Sequence, residues 1–342
     1  MPRGGRGPRR YNGGMIQPHL APIEAAGLLL TDWCSARCRH CYVRAGPEGS
    51  AWMTADEAAG HLAALARMGV AAGSVHVGGG EPFGDFDLLI GVVRAARSAG
   101  LAGVGYVETN GYWATSGEVV RERLTALAEA GMMQLAISAD PYHQEFVPPE
   151  RVRRLYEAAR EVLGPRGVRV RRWKWIQQPR DVAAMPEAAR EVLFAEFLAR
   201  YPERMSGRAA ERLAPLVGRM AIADLPDTAC RAPLLESRHV HVLPGGWVYP
   251  GTCAGIALGR ATAAAPLDVL LARWRPEASP LVARLVEAGP KGLAAEASRH
   301  GFEPDPGGYA GPCHLCWAVR SHLVRAGPGG DELAPAERYA GS

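Results

Sequence analysis

Along the first 200 residues, short apolar runs alternate with helix-length amphipathic segments, and that alternation restricts the chain to one class of fold. Runs at 27–31, 74–77, 104–109, 133–138 and 168–176 read as strands. Thr54 and Glu57 make a capping-box pair ahead of an apolar stripe that ends at Gly69. Thr115 and Glu118 repeat the pattern ahead of a helix ending at Gly131. Helices are also expected over 85–98, 149–163 and 181–200. Strands spaced by helices of this length pair in parallel through right-handed crossovers. The expected class is α/β, with an open doubly wound sheet and a complete or partial barrel equally compatible with the periodicity.

After about residue 205 the pattern changes. Residues 239–243 and 247–249, joined by Pro244, Gly245 and Gly246, read as a β-hairpin. Residues 261–297 look helical with proline interruptions. We expect a disordered basic arm over 1–20, the repeating βα unit over 21–205, a small α+β domain over 206–325 and a flexible tail over 326–342. The formal net charge of +4 over 342 residues gives no argument for a nucleic-acid partner. No uncharged apolar run reaches the length of a membrane span. No apolar segment follows the Arg-rich start as in a secretory signal, so a cytoplasmic location is expected.

Seven cysteines remain to be placed. Cys34, Cys38 and Cys41 follow the first expected strand in C-x3-C-x2-C spacing. Three thiolates this close can ligate three irons of a cubane and leave the fourth iron open to a chelating ligand. A zinc ion with His40 as stand-in ligand is the alternative, although zinc sites favour paired CxxC units. Cys230 and Cys253 bracket the hairpin, and Cys313 and Cys316 form a distal CxxC. These four suffice for a tetrahedral zinc or a fully ligated second cubane.

The triplet, together with Gly79, Gly80, Glu81 and Pro82 at the end of the second strand, resembles the radical S-adenosylmethionine (SAM) superfamily. The resemblance covers residues 27–200 and implies a partial (β/α)6 barrel. It implies that Cys34, Cys38 and Cys41 hold a [4Fe–4S] cluster whose open iron chelates SAM. Gly79, Gly80, Glu81 and Pro82 would meet the methionine amino group, and His40 and Tyr42 the adenine. Thr109, Asn110 and Ser138, at the ends of the third and fourth strands, would complete the SAM site. The four later cysteines resemble the twitch module, the smaller relative of the SPASM domain, which implies a second [4Fe–4S] cluster. Their layout is similar to that of the 2-deoxy-scyllo-inosamine dehydrogenases within the superfamily.

Three plus four ligands use every thiol, so none is left to return a hydrogen atom to a substrate radical. A fully ligated second cluster has no open iron with which to hold substrate, but it can accept an electron. The expected reaction is therefore a net oxidation of a small polar metabolite, sugar or cyclitol in type, in a natural-product pathway. His143 is the candidate general base, with Glu145 in reserve and Asp140 beside them. Trp173 and Trp175 share one face of the fifth expected strand. The arginines of 166–172 suit an acidic flavodoxin- or ferredoxin-type electron donor. Modification of a ribosomally made peptide is the second reading. A non-catalytic metal scaffold is the third, and it leaves the Gly79–Pro82 motif unexplained.

Overall fold

The computed structural model describes residues 20–340. The basic arm expected over 1–20 lies, apart from Leu20, outside the described residues. Strand β1 (Ala25–Leu29) runs through the middle of one sheet. On one side of it lie β2 (Val75–Gly78), β3 (Val104–Thr109), β4 (Met132–Ser138) and β5 (Val168–Arg171), each parallel to its neighbour. On the other lie β6 (His239–Val242), β7 (Trp247–Pro250) and β8 (Gly259–Arg260). The order β5-β4-β3-β2-β1 steps one way only. That is the winding of a barrel, whereas a doubly wound sheet reverses at a switch point. Among the described residues, β5 and β8 are edges, so the barrel is partial.

Helices α1 (Ala55–Arg67), α2 (Phe86–Ser98) and α3 (Gly117–Ala130) fill the first three crossovers. A short α4 (Pro141–Gln144) and a longer α5 (Pro149–Leu163) follow β4. The capping box at Thr54 and Glu57 forms in both directions. The second expected box does not. Ser116, one residue later than Thr115, caps α3 by accepting from the Val119 amide. Leu62, Leu65, Leu89, Val93, Leu124, Leu127 and Leu155 are fully or almost fully buried between these helices and the sheet. Each such side chain contributes about 1.5–3 kcal/mol of burial free energy.

Four expectations change. The hairpin forms, but its first strand is also the sixth parallel strand, paired with β1 in the register Gly27–His241. The sheet therefore runs on through the expected boundary at 205/206. The fifth strand stops at Arg171, because Arg172 takes a positive φ of 64° and a short helix, Lys174–Gln177, follows. Trp173 consequently lies against Tyr156 and Trp175 against Phe197, and the two do not share a strand face. The helix expected from 181 begins at Glu187, after Pro186. Finally, the tail is anchored. Leu333 and Tyr339 are buried, the Tyr339 ring stacks on Trp317, and Arg338 donates to the Val43 carbonyl. Two apolar anchors in a Gly- and Pro-rich stretch were enough to dock it.

Candidate functional site

A cavity of about 360 Å³ opens at the C-terminal ends of β1 to β4, where βα barrels place their active sites. Cys34, Cys38, His40, Cys41 and Tyr42 line it from the loop after β1. Gly79, Gly80, Thr109, Asn110, Ser138 and His143 line it from the following strand ends. Glu81, Pro82, Asp140 and Glu145 do not.

The cysteine loop is held by backbone bonds, from the Cys34 amide to Gly46 and from the Cys41 amide to Cys38. Burial, with the Glu81 carboxylate adding to it, pushes the Cys34 thiol up to about 12, and burial likewise pushes Cys38 up. Thiolates at such positions need a bound cation to exist at neutral pH. Spacing separates the candidate cations. Tetrahedral zinc brings its sulfurs within about 3.8 Å of one another, given Zn–S bonds of about 2.3 Å. Among the described residues, only two sets of three ligand atoms fall within 4.8 Å, His76–His239–His241 and His40–Asp140–His143. Neither cysteine group is that tight, as suits ligands on different irons of one cubane.

The glycine pair lets β2 press against this loop. A Cβ on Gly80 would lie 1.9 Å from the Trp33 carbonyl oxygen, and Gly79 has a φ of 139°. Glu81 is fully buried behind them. It accepts from the Thr109 hydroxyl at 2.9 Å and from the Asn110 and Phe83 amides at 2.7 and 3.2 Å. Burial raises its carboxyl to about 7 against these bonds. Glu81 therefore positions the end of β3 and does not face the cavity. Thr109 also accepts from the Gly111 amide and the Trp113 indole, which occupies its hydroxyl. Asn110 reaches the cluster loop, with its side-chain amide 3.5 Å from Cys34 Sγ and 3.2 Å from Ser35 Oγ.

Beside the loop, His143 Nδ1 lies 2.9 Å from Asp140 Oδ2. His40 Nε2 is 4.0 Å from the same oxygen, and its ring stacks on Tyr142. Burial opposes the Asp140 charge, but His143 and His40 overcome it and hold the carboxyl below its ordinary range. Burial lowers His40 to about 4. Glu145 is no reserve base. It is paired with Arg39 at 3.3 Å and Arg190 at 3.7 Å, outside the cavity lining. The arginines of 166–172 remain exposed, with Arg169 over the Tyr106 ring, Arg172 over Tyr201, and Arg171 also lining the cavity.

The four later cysteines converge. Burial raises the Cys230, Cys253 and Cys313 thiols; the other thiols of the set add to this at all three, while Arg204 works against it and does so ahead of the neighbouring thiols at Cys253 and Cys313. Cys313 and Cys316 sit in the first turns of the helix Pro312–Ala326. Two arginines flank the group. Arg204 donates to Cys253 Sγ at 3.1 Å and also lines the cavity, as does Thr252. Arg320 is 2% exposed, bonds the Ala254 carbonyl and Tyr339 hydroxyl, and leaves its Nε unpartnered. A buried guanidinium without a carboxylate fits an anionic metal–thiolate group beside it. The donor sets thus suit one cubane at each end of the chain.

Several cavity residues were not singled out in a linear reading: Glu108, Glu203, Arg204 and the histidines His76, His239 and His241. The histidines were detectable only as polar residues in strands otherwise apolar. Gly207 and Arg208 also act here, since Arg208 donates to the carbonyls of Cys38, Arg44 and Ala45 and Gly207 admits Tyr42.

Among the described residues, no helix is long and apolar enough to cross a membrane. A GTP 3',8-cyclase of Aquifex aeolicus (strain VF5) is 27% identical over 132 residues, which is 36% of this chain and 37% of the relative. The chain thus spans little more than a third of that curated relative. Among solved structures, BtrN in complex with AdoMet and 2-DOIA aligns over 78% of this chain and 89% of its own, with 13% identity and a TM-score of 0.39. PhdJ bound to substrate intermediate aligns over 93% and 92%, with 15% identity and a TM-score of 0.23. Residues 28–170 match the family described as the Radical SAM superfamily, which implies one [4Fe–4S] cluster and SAM. Over those residues the chain carries a match to a radical SAM domain and is similar to that superfamily.

Proposed function

We propose that this chain is a radical SAM oxidoreductase that oxidises a small polar metabolite of the sugar or cyclitol type. When bound, the clusters and SAM supply the 5'-deoxyadenosyl radical that removes a substrate hydrogen atom and the acceptor for the electron that follows. The protein's part is to take the proton. His143 lines the cavity, and its Nδ1 lies 2.9 Å from Asp140 Oδ2 without hydrogen-bond geometry, so the carboxylate orients the ring by charge and Nε2 is assigned as the accepting atom. A hydrogen atom, a proton and an electron then leave the substrate, a balanced two-electron oxidation of a carbinol carbon to a carbonyl.

The observation that carries the reading is Arg320, a buried cation beside four converging cysteines. It supports a closed, fully thiolate-ligated second cluster, and Arg204 and Thr252 border both that group and the cavity. Reducing electrons are assigned to a flavodoxin- or ferredoxin-type donor. The test is iron and acid-labile sulfide per chain after anaerobic reconstitution, followed by turnover with 2-deoxy-scyllo-inosamine as first substrate. About eight irons and a ketone product are expected. About four irons, with zinc at the later cysteines, would remove the electron acceptor and the oxidation with it.

A further inference from the structure

Three imidazoles inside the barrel are unused by the chemistry above. Gly27 of β1 is in register with His76 of β2 on one side and His241 of β6 on the other. A Cβ at Gly27 would lie 2.3 Å from His76 Nε2 and 2.6 Å from His241 Cδ2. Glycine at this position is what lets rings from strands two places apart in the sheet meet across β1. His239, two residues before His241, adds a third ring with centroids 4.5 Å and 5.3 Å from the other two. One ring nitrogen from each lies within 4.8 Å of the others, and all three residues line the cavity.

We propose that His76, His239 and His241 bind one divalent transition metal of the zinc class, with an open position facing the cavity. Three further features support a ligand set over simple packing. His241 Nδ1 lies 2.6 Å from the Gly251 carbonyl. A carbonyl only accepts, so Nδ1 carries the proton and Nε2 presents its lone pair, the outer bond that metal-bound histidines characteristically make. His239 Nε2 is buried with no hydrogen-bond partner. The Tyr42 hydroxyl, at 3.5 Å, is too far from His241 Nε2 to satisfy it well. An all-imidazole set suits zinc, copper, iron or nickel. Tetrahedral Zn–N bonds of about 2.0–2.1 Å place nitrogens about 3.3 Å apart, inside the 4.8 Å within which these three already lie. Three protein ligands leave a fourth position for water or a substrate oxygen.

The probe is Zn2+ alone, added to the anaerobically purified full chain with its iron clusters, then removed by gel filtration and counted by mass spectrometry. Wild type is expected to retain about one zinc more than His239→Ala or His241→Ala, while a Cys34→Ala/Cys38→Ala/Cys41→Ala variant keeps it. Retained iron in the histidine variants reports that they fold. Zinc-edge absorption spectroscopy of wild type decides independently of any variant: a first shell of imidazole nitrogen is expected. Equal zinc in wild type and both histidine variants, or a sulfur first shell, overturns the site. Neither result bears on the iron count, so this proposal and the oxidoreductase reading fail separately.

Discussion

The two cysteine groups hold their sulfurs in opposite ways. Cys34, Cys38 and Cys41 lie in one loop, with the Glu81 carboxylate acting against the Cys34 thiolate. Arg208, whose charge favours the Cys38 thiolate, is engaged by three loop carbonyls. Cys230, Cys253 and the Cys313–Cys316 pair come from three distant segments and are flanked by Arg204 and Arg320. The first group is one ligand short and faces a cavity; the second is complete and its charge is answered by the protein. Under the proposed function, openness suits ligand capture at one end and compensation suits electron storage at the other.

The sharpest way to break that division is to delete one ligand from each group. Cys38→Ala should abolish 5'-deoxyadenosine formation by more than about 10³-fold, since removing a metal ligand removes the reactive site. Cys316→Ala should preserve 5'-deoxyadenosine formation with substrate while the oxidised product disappears. Each variant should lose about four irons. Equal loss of 5'-deoxyadenosine in both would mean that the groups are not functionally distinct. Next in size, His143→Ala should cut product formation by about 10²–10⁴-fold with cleavage of SAM retained. Comparable product from His143→Ala and wild type would remove the base from that side chain.

How much of this was legible depends on the distance over which each feature is encoded. The cysteine triplet, the glycine pair and the strand–helix alternation are local, and a linear reading found them with their spacing. The three histidines become meaningful only when β6 returns beside β1, and Arg320 only when Cys253 and Cys316 are brought beside it, pairings no local pattern announces. Glu145 failed for the same reason: its partners Arg39 and Arg190 are remote in sequence. The strand expected through 168–176 failed because Trp173 and Trp175 fit strand propensity while Arg172 turns the backbone into a helix.

Arg320 gives a smaller, directional test of the comparison. With the second group loaded, Arg320→Met should destabilise by about 3–5 kcal/mol, the cost of leaving a buried charge unanswered. In the Cys316→Ala protein the anionic partner is gone, and the same change should approach neutrality. A double-mutant cycle on thermal midpoints reads the difference. An additive cycle would mean that Arg320 serves only Tyr339 and Ala254, its two hydrogen-bond partners.

The smallest effect belongs to the open group and concerns Glu81. Its carboxyl is raised from 4.5 to about 7, chiefly by burial. The folded state therefore holds a proton that the unfolded state releases across that window. Stability attributable to this group must fall as pH rises from about 4.5 to 7 and level off above it. Between pH 5 and 7 the loss is about 2 kcal/mol, since retaining one proton costs about 1.36 kcal/mol for every tenfold drop in proton concentration. For a chain of this size that is about 3 °C in thermal midpoint. Glu81→Gln keeps an acceptor for the Thr109 hydroxyl and removes the titration. Its midpoint should change less than that of wild type between pH 5 and 7, by about that margin. The second group contains no such carboxylate, so Cys316→Ala should leave the slope intact. Parallel pH profiles for wild type and Glu81→Gln would show that Glu81 stays ionised through the window, with its three hydrogen bonds outweighing burial.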